Sequence, residues 1–186
     1  GTPDAPVLRV RAEDGNSRLV VAAHYLVATG SRPTTAAIDG LDRVDYLTST
    51  TAMELEEVPE TLLVLGGGYV ALEQAQLFAR LGCKVTMLVR SRLASREEPE
   101  ASQSLLTVFA DEGIRVVCRA IVDSVTTDPA TGRVVAGASV AGSREEFSAE
   151  RLMVALGRTP VTDGLNFEAV DVKTGNAGEI AVTDQL

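Results

Sequence analysis

The chain is 186 residues long, 45% hydrophobic and 23% charged, a globular composition that can bury one domain, or one domain and part of another. Its formal net charge of −9 argues against nucleic acid or an anionic membrane as a partner, because both select basic surfaces. No apolar run approaches the ~20 residues of a membrane span and no basic-then-apolar leader opens the chain, so a cytoplasmic setting is expected.

The sequence begins Gly1-Thr2-Pro3 and closes on a strand-like run, residues 181–186. Both ends lead to the expectation of a piece cut from a longer protein. Residues 7–11 and 18–22, separated by Glu13-Asp14-Gly15-Asn16, predict a β-hairpin with a Gly/Asn turn. Residues 25–28 predict a short apolar strand ending at Thr29-Gly30. The Pro-, Thr- and Asp-rich stretch 31–59 has little period and reads as a connection over the surface. From Leu62 the pattern alternates: strand 62–65, helix 69–81, strand 84–89, helix 99–112, strand 114–118. Such alternation implies a parallel sheet with crossover helices.

In the first helix Val70, Ala71, Leu77, Phe78 and Leu81 recur at helical spacing as the buried face, and Gly82 ends it. The second begins at Pro99, buries Leu105, Leu106 and Phe109, and stops at Gly113. Residues 120–149 form short Val/Ile/Thr runs broken at 128–132 and 141–143, the pattern of a three-stranded antiparallel meander. The apolar run 152–156 then returns to the parallel sheet. One echo spans the chain: Leu26-Val27-Ala28-Thr29-Gly30, with Pro33 and Gly40-Leu41, matches Met153-Val154-Ala155-Leu156-Gly157, with Pro160 and Gly164-Leu165. Read as a repeat, it makes residues 1–30 the end of a second dinucleotide-binding unit. Cys83 and Cys118 lie 35 positions apart with no CxxC and no histidine-rich surroundings, which predicts two buried thiols and neither a metal site nor a redox pair. His24 is expected to be a surface imidazole.

Residues 66–73, Gly-Gly-Gly-Tyr-Val-Ala-Leu-Glu, follow the buried strand directly. A GxGxxG/A loop needs a tight turn at its first glycine, close backbone approach to a pyrophosphate at the second, and close helix–strand packing at the third small residue. Gly66, Gly68 and Ala71 supply these, and the helix N-terminus behind them offers N–H groups to phosphates. About 20 residues on, where an acid would accept the ribose hydroxyls of NAD, the sequence has Arg90, Arg92 and Arg96. Guanidinium groups at that position suit the 2′-phosphate of NADP.

Several stretches resemble the pyridine nucleotide–disulfide oxidoreductases: Tyr46-Leu47-Thr48-Ser49-Thr50, Leu65 through Glu73, Phe78-Ala79-Arg80-Leu81-Gly82, Arg96-Glu97-Glu98-Pro99 and Glu112-Gly113-Ile114, flanked by Ala28-Thr29-Gly30 and Gly157-Arg158-Thr159-Pro160. The resemblance covers nearly the whole chain. It implies an α/β fold: a Rossmann-like NAD(P)-binding domain at 58–157, the C-terminal part of an FAD-binding domain with a linker at 1–57, and a return segment toward that domain at 158–186. It implies that Gly66, Gly67, Gly68, Tyr69 and Val70 hold the pyrophosphate of NADPH, with Ala71 completing the cofactor-binding loop, and that Arg90 and Arg96 hold its 2′-phosphate, with Arg92 assisting or exposed. Gly157 would contact the nicotinamide half. Tyr69 matches an aromatic that covers the flavin in some members, and Glu73 a carboxylate that meets a lysine beside it. Thr29, Gly30 and Arg158 match positions on the FAD side.

In the family, hydride passes from NADPH to FAD and electrons continue to a cysteine pair; the resemblance further implies Hg(II) as the final acceptor, giving Hg(0). The rest of the family's machinery has no counterpart in this sequence: no CxxxxC pair, no glycine loop for FAD, no dimerisation domain and no terminal cysteine pair. The chain by itself is therefore expected to reduce nothing, and the whole enzyme is expected to be a homodimer. A disulfide or quinone reductase of the same family, a non-catalytic nucleotide-binding module, and a methyltransferase-type domain remain alternatives.

Overall fold

The computed structural model describes residues 5–34 and 36–184. Strands β1 (Leu8–Arg11), β2 (Ser17–Val20) and β3 (Ser31–Pro33) come first, followed by 3-10 turns at Leu41–Arg43 and Thr51–Glu54. Then come β4 (Thr61–Leu65), helix α1 (Tyr69–Arg80), β5 (Lys84–Val89), helix α2 (Pro99–Asp111) and β6 (Arg115–Cys118). The last strands are β7 (Ala120–Thr127), β8 (Val134–Val140), β9 (Ser143–Ala149), β10 (Arg151–Val154) and β11 (Arg158–Pro160). The chain divides into two compact units: Pro33–Gly157, and the flanking stretches up to Arg32 and from Arg158.

Within Pro33–Gly157, strands β10, β4, β5 and β6 lie side by side in that order as a parallel sheet. The period of two sorts its side chains. Leu62 and Val64 join Ala71, Ala75 and Phe78 of α1 and Phe109 of α2 in one core layer. Leu63 and Leu65 join Leu88, Leu152 and Val154 in the other, against Val125, Ala136 and Phe147 of the antiparallel meander β7–β8–β9. A strand covered on both faces reads as an unbroken apolar run, as 62–65 does. Pro99 opens α2 at its first turn, where its missing N–H has no partner to lose.

Five expectations change. Residues 25–28 form no strand: Leu26 is 93% exposed, and the described residues offer this backbone no neighbouring strand to pair with. Tyr25 instead closes the hairpin, its hydroxyl meeting Pro6 O at 2.8 Å and Val20 O at 3.1 Å. The stretch 31–59 runs over the surface only in part. Leu41, Val44, Leu47 and Ala52 are buried, and Leu47 N donates to Leu152 O at 2.7 Å while its O accepts from Val154 N at 2.8 Å. On α1 the buried face is Ala71, Ala75 and Phe78; Leu77 and Leu81 are exposed and Val70 is half-buried, because small residues let the helix lie close to the sheet. In α2, Ser102 and Phe109 are buried and Leu105 and Leu106 only partly so. The terminal strand-like run is not a strand over 181–184; the first residues of the chain and Gln185 and Leu186 lie outside the described residues.

The echo has a structural counterpart. The segments that follow its two glycines, β3 and β11, pair with each other. Gly30 O accepts from Val161 N at 3.0 Å, and Gly157 O accepts from Thr34 N at 3.0 Å.

Candidate nucleotide-binding site

The three glycines of the loop are required for different reasons. Gly66 has φ of 131° and a Cβ there would collide with the carbonyl of Ala155, with Ala71 Cβ 3.5 Å away; its own N–H is held by Leu88 O at 3.0 Å. A Cβ on Gly67 would lie 2.6 Å from Val89 Cγ1 and 3.3 Å from Arg92 O. Around Gly68 nothing lies within 4 Å of the added carbon. The first two glycines are demanded by the fold; the third faces open space at the head of α1.

Gly68 is extended and caps α1 with no side-chain acceptor. The helix ladder begins with Leu72 N to Gly68 O at 3.0 Å. The N–H groups of Tyr69, Val70 and Ala71 thus fall among the donors that an α-helix leaves without intrahelical partners, and with the dipole's positive end they suit an anion.

The three arginines after β5 behave differently. Arg90 and Arg96 are exposed, and neither side chain forms a hydrogen bond or ion pair with any described residue. Arg92 is half-buried and donates to Ser95 O at 3.0 Å, Glu97 O at 2.7 Å, Glu98 O at 3.3 Å and Ser102 Oγ at 2.7 Å. Ala94, between them, takes a left-handed φ of 45° and donates its N–H to Gly67 O at 2.7 Å. The loop that carries the free arginines is therefore bonded directly to the glycine loop. Sequence reading missed Ser102 and Ala94, and no motif marks either.

The remaining predicted residues are more scattered. Tyr69 is 69% exposed, and Glu73 is exposed on the next turn of α1. Gly157 has φ of 133° and meets only Thr34 Oγ1, at 3.6 Å, in the space a Cβ would fill. Thr29 Oγ1 donates to Val161 O at 2.5 Å. Arg158 donates to Ser31 Oγ at 2.8 Å and to Ser31 O at 2.5 Å. Thr29, Gly30 and Arg158 thus stitch residues 29–31 to 158–161. Cys83 is buried and Cys118 partly buried, both free. Desolvation pushes the Cys83 thiol up to about 11, with Glu150 adding to it, and raises Cys118 as well. Such thiols are poor nucleophiles. His24 is exposed. Among the described residues no group of His, Cys, Asp or Glu could hold a metal ion, and no helix is long and apolar enough to cross a membrane.

The sequence profile described as pyridine nucleotide-disulphide oxidoreductase matches residues 3–186. The mercuric reductase of Streptomyces lividans is 54% identical over 98% of this chain and 38% of its own length. That of Lysinibacillus sphaericus is 41% identical over 91% of this chain and 31% of its own length. Among solved structures, the HOCl-induced flavoprotein disulfide reductase RclA from Escherichia coli superposes with a TM-score of 0.83 at 26% identity, over 95% of this chain and 39% of that one. LpdA from Mycobacterium tuberculosis gives 0.80 at 27% identity, over 94% and 37%. The chain spans between 31% and 39% of the length of these relatives.

Proposed function

We propose that this chain, which belongs to the pyridine nucleotide-disulphide oxidoreductase family, forms the NADPH-binding part of a mercuric reductase-like flavoenzyme. The observation that carries the reading is the pair Arg90 and Arg96, exposed and unengaged, on a loop bonded to Gly67 through Ala94. The open space at Gly68 and the uncapped start of α1 fit a pyrophosphate; free guanidinium groups fit a further phosphate on the ribose.

In this reading the N–H groups at the start of α1 hold the pyrophosphate, Arg90 and Arg96 hold the 2′-phosphate, and Gly157 leaves room for the nicotinamide half. When bound, the nicotinamide supplies a hydride, whose two electrons are the number Hg(II) needs to become Hg(0). This chain binds and orients; FAD, the cysteine pair and the metal site belong to other parts of the protein. Tyr69 and Glu73 would face the flavin. The stretches up to Arg32 and from Arg158 would contribute to the FAD side, including Thr29, Gly30 and Arg158, while residues 33–57 pack with the nucleotide domain begun at 58. A cytoplasmic homodimer completes the proposal.

The test is the full-length protein containing this chain, assayed for NADPH oxidation with Hg(II) and with small disulfides. Hg(II)-dependent oxidation supports the reading. Turnover with a disulfide and none with Hg(II) would favour the second reading, a disulfide reductase, which the likeness to RclA keeps in view.

A further inference from the structure

We infer that Arg92 and Ser102 are positioning residues for recognition of the 2′-phosphate: they fix the loop that presents Arg90 and Arg96 without touching the nucleotide. The inference rests on the NADPH reading above and goes beyond it by assigning roles to two residues outside the phosphate contacts.

A guanidinium has five N–H donors, four of them on the two terminal nitrogens. In Arg92 each terminal nitrogen serves two acceptors: Nη1 serves Glu98 O and Ser102 Oγ, and Nη2 serves Ser95 O and Glu97 O. Four of the five donors are thus consumed inside the protein, and an arriving phosphate would have to break those bonds to recruit this side chain. Three of the acceptors are main-chain carbonyls of the residues leading into α2, whose cap, Glu98, makes no side-chain bond of its own. Ser102 closes the arrangement. Buried at 4% exposure, its hydroxyl donates to Leu93 O while accepting from Arg92, so both its hydrogen and a lone pair are used. The other side of the loop is held by Ala94 N–H on Gly67 O. Arg90 and Arg96 therefore sit at the two ends of a segment clamped in its middle, to the glycine loop on one side and to α2 on the other. Two long exposed side chains that must meet one phosphate lose rotamer freedom on binding; a fixed backbone beneath them keeps that loss from growing.

The roles separate by substitution. A phosphate ligand keeps much of its effect when Arg becomes Lys, because the charge remains; a clamp does not, because an ammonium lacks the planar fork that spans four acceptors. Dissociation constants for 2′,5′-ADP and 5′-AMP would be measured by calorimetry on the full chain and on Arg92→Lys, Arg92→Ala and Ser102→Ala. The unmodified chain is expected to prefer 2′,5′-ADP, and all three variants to lose about tenfold of that preference while 5′-AMP binds as before. The unchanged 5′-AMP affinity shows that the glycine loop, and so the fold, is intact. Full preference in Arg92→Lys, or undiminished preference in Ser102→Ala, overturns the inference and leaves the NADPH reading in place. No preference in the unmodified chain overturns that reading, and the inference with it. If Arg92→Ala fails to fold, Ser102→Ala and Arg92→Lys decide.

Discussion

Two nearly matching segments of this chain end in opposite environments. Met153 and Val154, in β10, are buried to 0% and 4% exposure, whereas Leu26 and Val27, their counterparts in the echo, are 93% and 42% exposed. Apolar residues followed by a glycine are common to both. The difference is a neighbour: β10 pairs with β4 along its length, and residues 25–28 have no strand beside them among the described residues. An apolar run specifies a strand only where another strand accepts its hydrogen bonds.

The largest expected effect comes from exchanging side chains across that contrast. Met153→Ala should destabilise Pro33–Gly157 by about 2–5 kcal/mol, through lost burial and the cavity left behind. Leu26→Ala should stay within about 0.5 kcal/mol of the parent, as exposed positions do. Denaturant melts of the two variants check this, and equal costs would break the comparison. The glycine loop carries the same contrast at smaller scale. Gly66→Ala places a Cβ at a left-handed φ and into Ala155 O, which should cost about 1–3 kcal/mol. Gly68→Ala meets no protein atom. It should leave the melting temperature almost unchanged while weakening nucleotide binding, because the added methyl stands where the phosphates approach.

A smaller effect is expected at the carboxylate that joins the two helices. Glu112 accepts from Arg80 at 2.6 Å and from Gln76 at 2.9 Å, and the Arg80 hydrogen bond comes first in holding its carboxyl below the ordinary value. A depressed folded-state pKa gives stability that is present above the unfolded pKa and fades as pH falls through the folded one. Thermal melts of Glu112→Gln should therefore lose part of the acid-side slope of the parent; identical slopes would show that the bridge contributes nothing. The smallest signal belongs to Cys83. With its thiol raised to about 11, it should resist a thiol reagent at neutral pH until the protein unfolds, and rapid native-state labelling would contradict its burial.

Most of the fold of Pro33–Gly157 was legible because period and punctuation agree: unbroken apolar strands, amphipathic helices, Pro99 and Gly113 at the ends of α2. The partial burial of 31–59 was not, because Leu47 enters the sheet through a single-residue bridge to Met153, which leaves no repeating pattern. The face of α1 was misread for a related reason. Periodicity marks where apolar residues recur, but Ala71 and Ala75 win the sheet-facing side because their size permits close approach, leaving Leu77 and Leu81 to the outside. At the candidate site, the glycines and arginines were visible by type and spacing. Which arginines are free was not: Arg92 is engaged by the carbonyls of Ser95, Glu97 and Glu98, and a carbonyl acceptor has no residue identity to read.

The central claim is that Arg90 and Arg96 make this a site for a nucleotide with a 2′-phosphate. Calorimetric titration of the chain with NADPH and NADH, repeated on Arg90→Ala/Arg96→Ala, tests it most directly. The account predicts tighter binding of NADPH than NADH, and a double variant that binds both with the weaker affinity. Equal affinities in the unmodified chain, or a preference that survives loss of both arginines, would contradict it.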